Sequence, residues 1–307
     1  MKEAKYIWKD GQLIPWKDAT THILTHTLHY GNGVFEGTRA YRTESGKIAI
    51  FRLEEHTKRL LNSCKITAIK CPYDQEVLQQ AQIELLRANQ DEYGQNIYIR
   101  PLVYLGYGSM GIDMRNAPVN VAIAAWEWGA YLGEDALLNG IKVKTSSFAR
   151  NSVKSVMGKA KAVANYLNSQ MAKLEALECG FQEALLLDES GFVAEGSGEC
   201  FFIVRDDKLI TPPHDNSLES ITQDSVIHFA KELGIEVIER RITRDEVYIA
   251  DEAFFVGTAA EITPICSLDF RPIGSGSNPI TKALQEYFFN VVKGKELKFS
   301  HYLTYID

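Results

Sequence analysis

Lys159 and Lys161 stand two positions apart in VMGKAKAVANYLNS (156–169), a setting of small side chains that runs into Asn165 and Tyr166. Glu195 ends a predicted strand and enters the glycine-rich turn AEGSGE, and Arg59 lies in a predicted helix. SIT (220–222) opens a predicted helix and GTAA (257–260) ends a predicted strand, so both turns can offer backbone N–H groups to an anion. A lysine amine can form a Schiff base with an aldehyde, and a carboxylate can keep a pyridine nitrogen protonated so that the ring accepts carbanion charge. A guanidinium and a helix N-terminus suit a phosphate dianion. These are the needs of pyridoxal 5'-phosphate, although structural ion pairs assemble the same residue types. Spacing does not choose between the lysines: two apart, they lie on opposite sides of any helix, and neither falls on its apolar stripe.

Other motifs lead elsewhere and carry less. His22, His26 and His29 in THILTHTLHYG would share one helix face and could hold a metal, but no HExxH-type carboxylate accompanies them. They read as packed or hydrogen-bonding histidines, and no metal is expected. GNGVFEG misses GxGxxG by one residue and precedes no helical pattern, which argues against a dinucleotide fold. In AEGSGE the glycines flank Ser197 directly, not at the spacing of a nucleophile elbow.

Strands and two helices must position the first group of residues. KYIWKDGQLIPW (5–16) predicts a hairpin at Asp10-Gly11, and TRAYRTESGKIAIFR (38–52) a second about Ser45-Gly46. EEHTKRLLNSCKI (54–66), which carries Arg59, and QEVLQQAQIELLRANQ (75–90) have helical periodicity. NIYIRPLVYLG (96–106) and VNVAIAAWEW (119–128) are β-branched and aromatic, hence strands. Residues 1–127 are expected to form a small α+β domain, and WGAYLGEDALLNG breaks the pattern, so 128–139 is the expected linker.

Over 140–307 a strand (IKVKTSS) precedes a helix spanning 162–178, with Ala164, Leu167, Met171 and Leu174 on one face. Short strands EALLLD, GFVAE, ECFFIVR and KLITP follow, then a helix over 221–234, a strand running into a turn over 252–265, and a helix near 280–292. The second domain is strand-rich, without the regular alternation of a parallel βαβ array.

A length of 307 residues suits two domains, each able to bury a core. Net charge is −7 with no block of like charges, so no nucleic-acid partner is expected. The start of the chain is too charged for a signal peptide, and no apolar run reaches membrane-spanning length. Cys64, Cys71, Cys179, Cys200 and Cys266 are odd in number and scattered, which reads as reduced thiols of a cytoplasmic protein.

HILTHTLHYGNGVFEGTRAY, NIYIRPLVYLG, AAWEWGAYLG, KAVANYLNS, GFVAEGSGECFFIV and FFVGTAAEITPI follow one another in the order of the branched-chain aminotransferases, which this chain resembles over about residues 5–290. The resemblance implies an α+β, two-domain fold-type IV enzyme: a small α/β sandwich domain and a larger, strand-rich pseudo-barrel domain that binds pyridoxal 5'-phosphate. By the same resemblance Lys161 matches the Schiff-base lysine, Tyr166 the tyrosine on the cofactor's phenolic oxygen, and Glu195 the partner of the pyridine nitrogen. Arg59 matches the phosphate-binding arginine, and Ile221, Thr222 and Thr258 the groups that cradle the phosphate. Thr258, Ala259 and Ala260 match the turn that receives the substrate α-carboxylate. Cys200 stands where the family usually has asparagine, and Glu219-Ser220 where it often has Pro-Gly; an acid at that point suits a phosphate cradle only if it points away.

The implied reaction moves an amino group between L-leucine, L-isoleucine or L-valine and 2-oxoglutarate by a ping-pong route, with biosynthesis the expected direction. One pocket must then accept both an aliphatic and a carboxylate side chain. Tyr30, Phe35, Trp128 and Tyr131 can supply apolar walls, and Tyr98 and Arg100 of YIRP can meet a carboxylate, with Arg39 a weaker candidate. A buried arginine without a partner is costly, so Arg100 is expected to pair elsewhere or reach water when an aliphatic substrate binds. Family members self-associate as dimers or assemblies of dimers. The competing readings are another fold-type IV enzyme (a D-amino-acid aminotransferase, an aminodeoxychorismate lyase or an (R)-selective amine transaminase) and a non-catalytic cofactor- or metal-binding protein.

Overall fold

Asp10 and Gly11 both adopt positive φ, 48° and 94°, the backbone of a two-residue turn that matches strand twist. They close the hairpin β1 (Tyr6–Lys9) and β2 (Gln12–Pro15). The computed structural model describes residues 2–306; Met1 and Asp307, the outer ends of the two expected domains, lie outside the described residues. The chain divides into two compact units, one of Met1–Gly129, Lys159–Ala164 and Val291–Asp307, the other of Ala130–Gly158 and Asn165–Asn290.

In the first unit α1 (His26–Tyr30) leads through Gly31 and Asn32 to β3 (Gly33–Phe35), followed by β4 (Thr38–Arg42) and β5 (Ile48–Phe51). Helices α2 (Leu53–Ile66) and α3 (Gln75–Ala88) pack on each other, and Asp74 caps α3 by accepting the Val77 N–H at 2.9 Å. The long strands β6 (Asn96–Leu105) and β7 (Val119–Glu127) pair in antiparallel register, Tyr98 opposite Trp126 and Arg100 opposite Ala124. The sheet runs Leu303–Tyr305, β5, β4, β6, β7, β1, β2, with β3 also on β6. Alternation along β6 sends Ile97, Ile99, Val103 and Leu105 into the core shared with Leu60, Leu78 and Leu85 of the helices. Tyr98 and Arg100 therefore take the opposite face.

Lys159 and Lys161 precede the helix expected over 162–178: a 3-10 turn, Val163–Asn165, leads into a helix from Tyr166, and the lysines lie before it. Phe35 N–H donates to Lys161 O at 3.1 Å, and Val34 and Ala162 form an antiparallel bridge, so Lys161 sits on an extended segment beside β3.

In the second unit α4 (Glu134–Asn139) occupies the stretch where a linker was expected; Ala136 is buried and Gln285 Nε2 donates to Leu137 O at 3.1 Å. β8 (Ile141–Thr145), α5 (Tyr166–Glu178), β9 (Glu183–Leu187), β10 (Val193–Gly196), β11 (Cys200–Arg205) and β12 (Lys208–Thr211) follow. Then come α6 (Ile221–Glu232), β13 (Val237–Glu239), α7 (Arg244–Tyr248), β14 (Glu252–Gly257), β15 (Glu261–Leu268), β16 (Arg271–Pro272) and α8 (Pro279–Val292). The sheet order is β10, β9, β8, β15, β14, β11, β12, β13. It is mixed: β8 is parallel to β9 and β15, and β12 is parallel to β13 across α6, so local βαβ crossovers stand inside a mainly antiparallel sheet.

Helix α5 corrects the expected face. Ser169, Ala172 and Ala176 are buried, the alanines against Phe181 and Leu186, while Leu167, Met171 and Leu174 are exposed. Small residues let the helix lie close on β9, and the leucines point away. Among the described residues no helix is long and apolar enough to cross a membrane.

Candidate functional site

Helix α2 presents His56, Arg59 and Ser63 at i, i+3 and i+7, one face of a helix. Opposite this face stands Glu36, between β3 and β4 and wholly buried. Arg59 donates from Nε to Glu36 Oε1 at 2.6 Å and from Nη2 to Oε2 at 2.9 Å; His56 Nδ1 donates to Oε2 at 2.9 Å. Burial pushes the Glu36 carboxyl up, but the Arg59 charge and the bonds from His56 and Arg59 outweigh it, holding the group well below the usual carboxylate range. Burial lowers the His56 proton affinity; Glu36 opposes that shift, while the charges of Arg59 and Lys161 add to it. His56 is therefore a neutral ring with its proton on Nδ1. One turn along, Ser63 Oγ accepts the Lys161 backbone N–H at 3.0 Å. One helix face thus carries a guanidinium and anchors the lysine.

The Lys161 amine stands 5.1 Å from the Phe35 ring centre. Arg100 stacks over the same ring at 4.6 Å and donates from Nη2 to Tyr98 Oη at 3.0 Å. Tyr98 packs edge-on to Trp128 at 4.7 Å and against Trp126 at 5.1 Å. The result is an aromatic wall carrying one guanidinium, whose buried Nε has no hydrogen-bond partner among the described residues. Arg39, 2% exposed, closes the wall from behind by donating to the carbonyls of Trp128 and Gly129, each at 3.1 Å. Tyr30 belongs to a different group: its ring packs on His26 at 4.6 Å and its hydroxyl accepts the Gly111 N–H at 3.2 Å.

In the second unit Glu195 is buried on β10 and forms an ion pair with Arg150. Behind it lies Glu199, whose carboxyl burial and the charge of buried Glu183 push up to about 8. Tyr166 opens α5, and Tyr131 is capped by Lys173 Nζ at 5.7 Å. Ile221 and Thr222 open α6, where their N–H groups have no intrahelical acceptor, and Ser220 Oγ caps the helix by accepting the Gln223 N–H at 3.1 Å. Glu219 is exposed, and Cys200 is buried in register with Val256. Thr258, Ala259 and Ala260 form the turn joining β14 to β15.

The structure thus groups Lys161, Phe35, Tyr98, Arg100, Trp128 and Arg39 in one neighbourhood of the first unit, with Arg59 on the helix behind Lys161. Sequence reasoning passed over Glu36, His56, Ser63, Trp126, Arg150 and Glu199. Two of these had a signal: His56 lies three before Arg59 on one helix face, and Trp126 two before Trp128 on one strand face. The three histidines do not share a helix, since only His26 and His29 lie in α1; His26 Nε2 donates to Gly111 O at 2.8 Å.

The family model described as amino-transferase class IV matches residues 33–268. The chain is 51% identical over 290 residues to the branched-chain-amino-acid aminotransferase of Pseudomonas aeruginosa, covering 94% of this chain and 93% of that one. It superposes with a TM-score of 0.95, at 47% identity and full coverage of both chains, on the T.th. branched-chain amino acid aminotransferase with pyridoxamine 5'-phosphate. The same T.th. enzyme complexed with N-(5'-phosphopyridoxyl)-L-glutamate gives 0.94 at 45% identity, again with full coverage of both chains. With its two α+β units and these matches over nearly its whole length, the chain belongs to the class IV aminotransferases, among the branched-chain-amino-acid aminotransferases.

Proposed function

We propose that the protein transfers the amino group between L-leucine, L-isoleucine or L-valine and 2-oxoglutarate with pyridoxal 5'-phosphate, in two half-reactions. The residues present fit that cofactor. Arg59 and the opening of α6 are anion donors, Lys161 is an amine held by its backbone on β3 and Ser63, and Glu195 is a buried carboxylate kept by Arg150. When bound, the cofactor supplies an aldehyde for amine exchange and a ring that accepts the charge left by a departing α-proton. Lys161 Nζ would take the proton from the substrate Cα and deliver it to the carbon of the former aldehyde, the reverse in the second half-reaction. Glu195 stabilises the protonated ring nitrogen. Tyr166 donates to the phenolic oxygen, and Arg59, Ile221, Thr222 and Thr258 hold the phosphate. The Thr258–Ala260 turn receives the substrate α-carboxylate.

The observation that carries the dual substrate range is the wall of Phe35, Tyr98, Trp126 and Trp128 bearing the Arg100 guanidinium. Its rings suit an aliphatic side chain. Its guanidinium, stacked on Phe35 and hydrogen-bonded to Tyr98 between turnovers, suits the side-chain carboxylate of glutamate. The resemblance alone assigns Tyr30, packed on His26, and Tyr131, capped by Lys173, to the apolar lining. All five cysteines are free thiols, which supports a reducing, cytoplasmic setting. Exposed apolar side chains about α1 support self-association.

Purified protein is expected to be yellow, to bleach with borohydride and to carry the label on Lys161. Lys161→Ala abolishes labelling and turnover, whereas Lys159→Ala, at an exposed position, keeps both. Loss in Lys159→Ala with retention in Lys161→Ala reverses the assignment. D-Alanine outperforming the three branched L-amino acids as donor, with 2-oxoglutarate as acceptor, overturns the substrate class.

A further inference from the structure

We infer that Glu36 and His56 are positioning residues for the cofactor phosphate: together they aim Arg59, and so set the preference for a phosphorylated cofactor over its unphosphorylated form. The inference rests on the reading of Arg59 as the phosphate-binding arginine.

The geometry is specific. Glu36 Oε2 accepts from His56 Nδ1 at 2.9 Å, from Arg59 Nη2 at 2.9 Å and from the Gly37 N–H at 3.2 Å, while Oε1 accepts from Arg59 Nε at 2.6 Å. An ionised carboxylate offers about four acceptor sites, so these bonds saturate it, and its own N–H is tied to Pro101 O at 2.9 Å. A carboxylate so held cannot turn. By taking the Nε–Nη2 edge of the guanidinium with both oxygens, it fixes the plane of Arg59 and the direction of the Nη1–Nη2 edge. A long arginine otherwise loses side-chain freedom each time it meets an anion.

Charge distinguishes this arrangement from a plain structural ion pair. His56 is neutral, and its proton affinity is lowered by both Arg59 and Lys161. Two cations therefore share one neighbourhood with a single carboxylate, and the excess positive charge suits a dianion. Replacing His56 by a charged group or removing Glu36 would change that balance and release the guanidinium.

The test strips cofactor from the holoenzyme and measures rebinding of pyridoxal phosphate and of pyridoxal by absorbance, in wild type, Glu36→Gln, His56→Asn and Arg59→Lys. Glu36→Gln is expected to weaken pyridoxal phosphate about tenfold or more, the worth of one charge-assisted hydrogen bond, with pyridoxal unchanged. His56→Asn shifts the same ratio in the same direction and by less, and it decides the matter if Glu36→Gln does not fold. Equal weakening of both ligands, tracking a lower melting temperature, means that the pair only holds the fold and overturns the inference. So does a ratio that neither variant moves while Arg59→Lys does. A ratio unmoved by Arg59→Lys removes instead the reading of Arg59 itself.

Discussion

A Cβ added at Gly37 would stand 1.9 Å from Tyr98 Oη and 2.7 Å from its Cζ. Tyr98 has nowhere to go: its ring is held between Trp126 and Trp128 and is 4% exposed. Gly37→Ala must therefore push the phenol off its bond to Arg100 Nη2. The guanidinium then loses the contact that orients it, whereas the aliphatic wall keeps its rings. KM for glutamate is expected to rise about tenfold, with KM for leucine within about twofold, because only the polar half of the pocket is disturbed. Equal changes for both donors in half-reaction kinetics would show that the aromatic wall itself had collapsed. At this scale the sequence was legible by residue type more than by setting. Only the family pattern favours Lys161 over Lys159, and the pairing of Lys161 with β3 depends on residues far away in the chain. Glu36 sits in VFEG with no periodic signal, and its role in the ion pair emerges only when α2 packs beside β3.

The elements behind these residues are held by polar bonds as much as by apolar cores. α5 is the clearest case, because its leucines face outward and its buried side chains are small. Glu175 ties it to the end of β8: its carboxylate accepts from Lys144 Nζ at 2.9 Å, Ser146 Oγ at 2.7 Å and Ser147 N–H at 3.0 Å. Burial pushes this carboxyl up, but the Lys144, Ser146 and Ser147 bonds bring it down to about 2. With a folded value below the ordinary 4.5, its stabilisation is present above pH 4.5 and lost as pH falls towards 2. Glu175→Gln should cost about 2 kcal/mol at pH 7 in denaturant unfolding, and the gap to wild type should narrow below pH 4.5 and close only as pH falls through about 2. A gap independent of pH would assign the cost to packing. Helices and hairpins with strong local signals, α2, α3, α6, α8 and β1–β2, were legible from period and turn chemistry. The face of α5 was not, since periodicity finds an apolar stripe without saying what covers it. β13 and the strand Leu303–Tyr305 are too short to announce themselves before their partners are in place.

For the whole molecule, the feature left over is apolar surface. Around α1, Ile23 is 74% exposed and Leu28 60%; Tyr107, Met110 and Ile112, the last 92% exposed, lie on the adjoining loop. That loop is fixed on α1 by the Gly111 bonds to Tyr30 and His26, so the patch is a built surface. Scattered exposed leucines need no explanation, but contiguous apolar side chains on an otherwise charged protein mark a contact face. A net charge of −7 makes copies repel at long range, so self-association through this face would rest on its apolar side chains. A second copy of this chain is the proposed occupant. Light scattering should give at least twice the single-chain mass of 34.5 kDa. Placing aspartates at Leu28 and Ile112 together should cost about 4 kcal/mol of association, roughly a thousandfold in Kd, and return the mass to one chain. Because Tyr30 lies in the same patch, activity of the double variant should rise with protein concentration as association is restored. A wild-type protein that stays at one chain mass at micromolar concentration, with full activity, would rule out self-association through this face.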